Sequence, residues 1–258
     1  MIILNRMMLK VSEKDYKNFV APAEWVACGR VYPLSVACGI QPGDIFEDGG
    51  AAFFWHHCGF GHIAGSPPEG MLRDIRDLMA SPERPRRLVL ITEDARAISY
   101  FRHEGAEISE RVFYTWRPGD APDAPPVPEG FSIGRIGPEH MGRFTGRIVP
   151  SFSWDCDESF LEKGFGFAAV RQGDICAAAF SAAVSPLEID IGVQTREGYR
   201  GRGLAAALAK RMCLEISRRG KAPVWAHAVG NTGSMRTALK CGFVPCGTAK
   251  VIRLRENG

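Results

Sequence analysis

The stretch that decides the fold is Leu187-Glu188-Ile189-Asp190-Ile191-Gly192-Val193-Gln194-Thr195, followed at once by Arg196-Glu197-Gly198-Tyr199-Arg200-Gly201-Arg202-Gly203-Leu204-Ala205. The first nine residues alternate apolar and polar, the period of a strand. After the turn, Leu204, Leu208, Met212 and Ile216 recur every four residues and Gly220 supplies a stop, which predicts a helix. A glycine- and arginine-rich turn between a strand and a long helix is a place to hold phosphate. The first backbone N–H groups of the helix lack helical partners, and the helix dipole favours negative charge there. Gly201 and Gly203 let the main chain approach a phosphate, and Arg200 and Arg202 add charge-assisted contacts. The expected ligand is a pyrophosphate. The turn has neither the Lys-Ser/Thr ending of a P-loop nor the G-x-G-x-x-G of a dinucleotide site.

Working outward, Phe165–Arg171 and Ile175–Val184 flank Gln172-Gly173-Asp174 as a hairpin. Phe131–Ile136, Val224–Val229 and Phe243–Arg253 read as further strands. Helices are expected from Pro138 and over Ser234–Lys240. Upstream, Arg117-Pro118-Gly119-Asp120-Ala121-Pro122-Asp123-Ala124-Pro125-Pro126-Val127-Pro128-Glu129-Gly130 has five prolines in fourteen residues and reads as a semi-rigid linker. Domains are therefore expected over 1–117 and 131–258, joined by 118–130. The first contains strands at Ala51–His57, Arg87–Thr92 and Ile108–Trp116 and helices at Met71–Ala80 and Ala95–Glu104. Its first fifty residues are chopped by glycine and proline. No internal repeat is visible.

Split at Gly130, the chain carries 14 Lys+Arg against 18 Asp+Glu, a charge of −4, and then 18 against 11, or +7, summing to the net +3. A basic second half suits a small polyanion or nucleic acid. There is no lysine-rich run or aromatic-basic alternation, so nucleic acid is not expected. The eight cysteines lack C-x-x-C spacing and suit free thiols in a cytoplasmic protein. The start is too short in apolar residues for a signal peptide, and no apolar run suits a membrane span. His56 and His57 are adjacent and face opposite sides of a strand, and no H-E-x-x-H or Cys/His set appears, so no metal is expected.

Arg200-Gly201-Arg202-Gly203-Leu204-Ala205 matches the Q/R-x-x-G-x-G/A pattern at Arg200, Gly203 and Ala205. Asn231, Ser234, Ala238, Lys240 and Gly242-Phe243 match a second signature, an Asn followed by a helix and Gly-Phe. On these motifs the second half resembles the GNAT superfamily of acyl-CoA-dependent N-acyltransferases. Trp154, Phe160–Gly166, Glu188–Ile191, Tyr199–Ala205 and Pro223–Trp225, with Cys58–Gly65 upstream, are similar to its zwittermicin A resistance-type branch. The resemblance implies an α/β (α+β) fold, with a mixed, mostly antiparallel sheet flanked by helices behind a smaller α/β domain. It also implies acetyl-CoA as co-substrate, a small primary amine as acceptor, and a pantetheine arm lying in a gap between the strands ending near Thr195 and beginning near Val224. Val193 and Thr195 would offer main-chain hydrogen bonds to it, Val193 also to the oxyanion. Arg200, Gly201, Arg202, Gly203, Leu204, Ala205, Asn231 and Ser234 complete the expected cofactor set. A homodimer is compatible with all of this.

An amine must be neutral to attack a thioester, so a general base is expected. Glu188 is the first candidate and Asp190 the second, because both lie on the strand entering the turn; either could instead simply face solvent. His227, with an ordinary pKa of about 6.5, is a third, or a histidine bonded within its strand. Asn231 could bond the cofactor or cap its helix. Many superfamily members have a tyrosine where this chain has Ala238. Tyr100 or Tyr114 could replace it as proton donor. The reading is therefore an acetyltransferase, with an acyl-CoA-binding regulatory module lacking turnover as its alternative.

Overall fold

The computed structural model describes residues 8–117 and 126–254. Most of the proline-rich segment, residues 118–125, lies outside the described residues. In chain order the elements are β1 (Leu9–Lys10), α1 (Val20–Glu24), α2 (Val31–Ala37), β2 (Gly43–Asp48), β3 (Ala51–His56), β4 (Phe60–Ala64), α3 (Glu69–Ala80), β5 (Val89–Thr92), α4 (Ala95–His103) and β6 (Glu107–Trp116). There follow β7 (Ser132–Arg135), α5 (Asp157–Lys163), β8 (Gly166–Arg171), β9 (Asp174–Val184), β10 (Glu188–Thr195), α6 (Leu204–Arg218), β11 (Ala222–Ala228), α7 (Thr232–Lys240) and β12 (Phe243–Arg253). No helix among the described residues is long and apolar enough to cross a membrane.

Two compact units emerge, Met1–Arg111 with Gly247–Gly258 and Val112–Cys246. In the first, neighbouring strands run β1-β2-β3-β4-β5-β12. Pairing is antiparallel except for the parallel β4–β5 pair that α3 connects. One sheet face buries Phe53, Trp55 and Leu90 with Met71, Ile75 and Phe101 of α3 and α4. Ile45 and Phe54 on the other face pack with Leu34 and Val36 of α2.

In the second unit the order is β7-β8-β9-β10-β11-β6, again antiparallel from β7 to β10 and then parallel across β10–β11, which α6 connects. The two halves of the chain thus share one order of strands and of the helices that follow the fourth and fifth of them, and differ in the helices before the second.

Gln172 (φ 52) and Gly173 (φ 86) close the β8–β9 hairpin with two left-handed residues, the geometry of a tight type I′ turn. The helix expected from Pro138 is only a single 3-10 turn over Pro138–His140, because Gly142 and Gly146 soon take φ of 71 and 108 and break the run. Helix α6 meets the expectation closely. Leu204, Leu208, Met212 and Ile216 are all buried. Its end is a Schellman motif: Lys221 N–H donates to Ile216 O at 3.2 Å and Gly220 N–H to Ser217 O at 2.9 Å, with Gly220 left-handed at φ 72. This stripe packs α6 on β9, β10 and β11. On the opposite face Trp154, Phe160 and Phe180 form an edge-to-face ladder, and Trp154 Nε1 donates to Ser181 O at 2.8 Å. Trp154 is a core aromatic.

Candidate active site

The turn into α6 is built by backbone geometry. Arg196 N–H donates to Cys176 O at 2.9 Å, a 3-10 turn spans Glu197–Tyr199, and Arg200 N–H donates to Glu197 O at 3.2 Å. Gly201 (φ 77) and Gly203 (φ 85) are both left-handed, and Gly203 is the N-cap of α6. No side chain caps this helix end; its ladder begins with Ala207 N–H on Gly203 O at 3.1 Å. A Cβ built on Gly201 or Gly203 meets nothing within 4 Å. Arg200 and Arg202 are exposed, Arg202 Cζ lying 5.7 Å from the ring centre of Tyr199, whose edge meets Phe131. Leu204 is fully buried and anchors the turn, while Ala205 is half-buried. An open loop, an uncapped helix start and two exposed guanidinium groups suit a pyrophosphate.

Beside this turn β10 and β11 part. Their pairing is limited to Glu188↔Ala222, Ile189↔Pro223 and Asp190↔Val224, although β10 continues to Thr195 and β11 to Ala228. At the same level the β10–β9 register skips a residue between Asp190 and Ile191, a bulge that bends the ladder. Val193 and Thr195 therefore line an edge of β10 without registered partners on β11. Thr195 Oγ1 is buried and has no hydrogen-bond partner among the described residues. An orphaned buried hydroxyl on an unpaired edge suits a polar, amide-bearing chain lying in the opening.

The candidate bases fall on opposite faces of the sheet. Trp225 Nε1 donates to Ser234 Oγ of α7 at 3.1 Å, so Trp225 and His227, two residues on, point towards α7. Val224 points the other way, and Asp190, its registered neighbour, does so with it, as does Glu188. Asp190 is 8% exposed and Glu188 half-buried. His227 is buried with both ring nitrogens engaged, Nδ1 2.9 Å from Ala228 O and Nε2 2.9 Å from the Tyr114 hydroxyl. Asn231 caps α7 by accepting from Ser234 N–H at 3.1 Å. Ala238 is fully buried. The Tyr114–His227 contact had only a weak sequence signal, a tyrosine at a core-facing position of β6. No group of three or more His, Cys, Asp or Glu able to hold a metal occurs among the described residues.

Residues 128–251 match the family described as GNAT acetyltransferase. The uncharacterized N-acetyltransferase YdfB of Bacillus subtilis (strain 168) is 26% identical over 136 residues, 52% of each chain, so the match spans about half the length of that relative. Among solved structures, the chain is similar to a GCN5-related N-acetyltransferase-like protein from Streptococcus suis 89/1591. Its TM-score is 0.72 at 22% identity, over 95% of this chain and 100% of that one. A tandem GNAT protein from the clavulanic acid biosynthesis pathway gives a TM-score of 0.63 at 13% identity, over 95% and 96%. At these identities the structures establish the fold.

Proposed function

The chain belongs to the GNAT superfamily through residues 128–251, and from that premise we propose that it transfers an acetyl group from acetyl-CoA to a primary amine of a small molecule. The observation that carries this reading is the left-handed, uncapped turn at Gly201–Gly203 set beside the unpaired edges of β10 and β11. Arg200, Gly201, Arg202, Gly203, Leu204 and Ala205 hold the pyrophosphate, by main-chain N–H groups at the helix start and by the two guanidinium groups. Val193 and Thr195 bind the pantetheine arm in the opening. Asn231 and Ser234 shape its α7 side.

The bound thioester supplies an activated acyl carbon, and this chain's residues orient it and manage the protons. An amine near pKa ~10.4 costs about 4 to 5 kcal/mol to deprotonate at neutral pH, which a positioned carboxylate offsets in part. Glu188 and Asp190 share the face away from α6 and α7, so the amine approaches from that side. His227, enclosed by Tyr114 and Ala228 O, is not placed to meet it there.

Saturating acetyl-CoA raises the melting temperature of the wild-type chain, and thiol release follows on addition of a suitable amine from a panel. Arg200→Ala/Arg202→Ala abolishes both. If acetyl-CoA fails to stabilise the wild-type chain, the proposal is wrong. Stabilisation with no turnover for any amine supports a binding module instead. Glu188→Gln and Asp190→Asn identify the base, whose loss lowers kcat by roughly 10² to 10⁴.

A further inference from the structure

β7 is the outermost strand of the second unit's sheet, with β8 as its one neighbour among the described residues. Ser132, Gly134 and Arg135 are exposed and Ile133 is half-buried. Opposed residues of an antiparallel pair alternate between exchanging both hydrogen bonds and exchanging none. Ile136 N–H donates to Gly166 O at 2.9 Å, one step past Arg135↔Phe167, so Gly134 and Ser132 also turn their main-chain groups to β8. Ile133 and Arg135 turn theirs outward, where an added strand would meet them.

A row of arginines borders this edge on the face that carries α6. Arg135 registers with Phe167 and shares its face, and Arg211 of α6 lies over the Phe167 ring with Cζ 5.1 Å from its centre. Arg135 and Arg219 both lie over Phe165, at 5.9 and 3.9 Å, and Arg171 lies over Phe131 at 5.6 Å. Stacking of this kind holds the guanidinium plane while its N–H fork stays available to a carboxylate. Glu215 already takes Arg218 and Arg219, each at 3.0 Å. Arg135, Arg171 and Arg211 make no ion pair among the described residues.

We infer that β7 is a docking edge for an extended acidic peptide segment of a partner protein, which adds as an outer strand and sets alternate carboxylates against this row of arginines. Main-chain bonds to Ile133 and Arg135 supply the register. Carboxylates two residues apart share one face of the added strand and meet the arginines together. A second copy of this chain fits poorly, because its own β7 brings Arg135 to the same place, like charge against like. Nucleic acid would use the charge but not the edge. Phe165 and Phe167, 3% and 8% exposed, lie under guanidinium groups and offer no face to a base. The inference stands apart from the acetyl-CoA reading, since it uses none of residues 200–205.

The probe is a short fluorescein-tagged peptide alternating glutamate and threonine, mixed with the full chain and followed by anisotropy. Wild type is expected to bind it, less tightly as salt rises, and not to bind the version with glutamine for glutamate. Arg135→Glu/Arg211→Glu should weaken binding by about tenfold. Ile133→Pro removes an outward N–H and no bond to β8, so it should weaken the peptide while the melting temperature stays near that of wild type. The inference is overturned if wild type does not bind the peptide, or if it binds duplex DNA equally well and Ile133→Pro affects neither. Should Ile133→Pro unfold, two peptides N-methylated at one or the other set of alternate residues make the same cut from the partner's side. If both bind as tightly as the parent, no strand is added at β7.

Discussion

At the scale of single residues, Gly203 and His62 show two ways in which a position can be constrained. Gly203 has open space where a Cβ would go, so its requirement is the left-handed backbone at the start of α6 and not room within the protein. Gly203→Ala is expected to cost about 1 kcal/mol of stability and to weaken acetyl-CoA binding more than that cost alone implies, because the proposed phosphate contacts are made by this turn's main chain; paired thermal melts with and without acetyl-CoA separate the two effects. His62 is 1% exposed, its two ring nitrogens have no partner among the described residues, and burial drives its pKa down from 6.5 to about 3. The unfolded chain therefore binds more protons than the folded one between about pH 3 and 6.5. Stability is full above that window and is lost as pH falls through it, by about 4 to 5 kcal/mol if the whole shift is realised. His56, also buried and lowered, adds in the same direction. Denaturant midpoints measured from pH 7 to 4 should fall more steeply for wild type than for His62→Leu; parallel curves would exclude His62 as a source of the slope.

Among the elements, α6 carries the turn and must itself be held still. Its anchor is the stripe Leu204, Leu208, Met212 and Ile216, and Leu208→Ala removes a fully buried side chain from the middle. A loss of about 2 to 5 kcal/mol is expected in the unfolding free energy, while the protein that remains folded still binds acetyl-CoA; a destabilisation below 1 kcal/mol would mean that the stripe is not what seats the helix. This helix was legible in the sequence because its apolar spacing, its glycine stop and its glycine-rich entry agree. The Gln172-Gly173 hairpin was legible for the same reason. The segment after Pro138 was not, since a proline announces a helix start but says nothing of the two left-handed glycines that end it a few residues later. Short α1 and α2 were hidden too, as neither is long enough to show a period. In the site, the turn and the strands flanking the opening could be read from residue types alone. The separation of Glu188 and Asp190 from His227 could not, because it depends on the register Asp190↔Val224 and on the Trp225–Ser234 bond. The Tyr114–His227 pair joins residues 113 apart in the chain, a distance over which no local pattern speaks.

For the whole molecule, the repeated order of elements raises the question of how many acyl-CoA sites one chain has. Both units have a parallel strand pair bridged by a helix, β4–β5 with α3 and β10–β11 with α6, and both pairs register over three residues. The entries to the two helices differ. Before α6 stand Arg200-Gly201-Arg202-Gly203, rich in main-chain N–H groups and positive charge. Before α3 stand Gly65-Ser66-Pro67-Pro68, in which the two prolines have no N–H to offer, and Glu69 places a carboxylate in the first turn. A pyrophosphate at that end would meet like charge and too few donors. One equivalent of acetyl-CoA per chain is therefore expected, and isothermal titration should give a stoichiometry near one that Arg200→Ala/Arg202→Ala takes to none. A second equivalent surviving in that variant would place a site in the first unit and contradict the argument. The shared strand order thus keeps the sheet and the helix crossover, while the turn proposed to hold the pyrophosphate depends on a handful of residues that only the second half possesses.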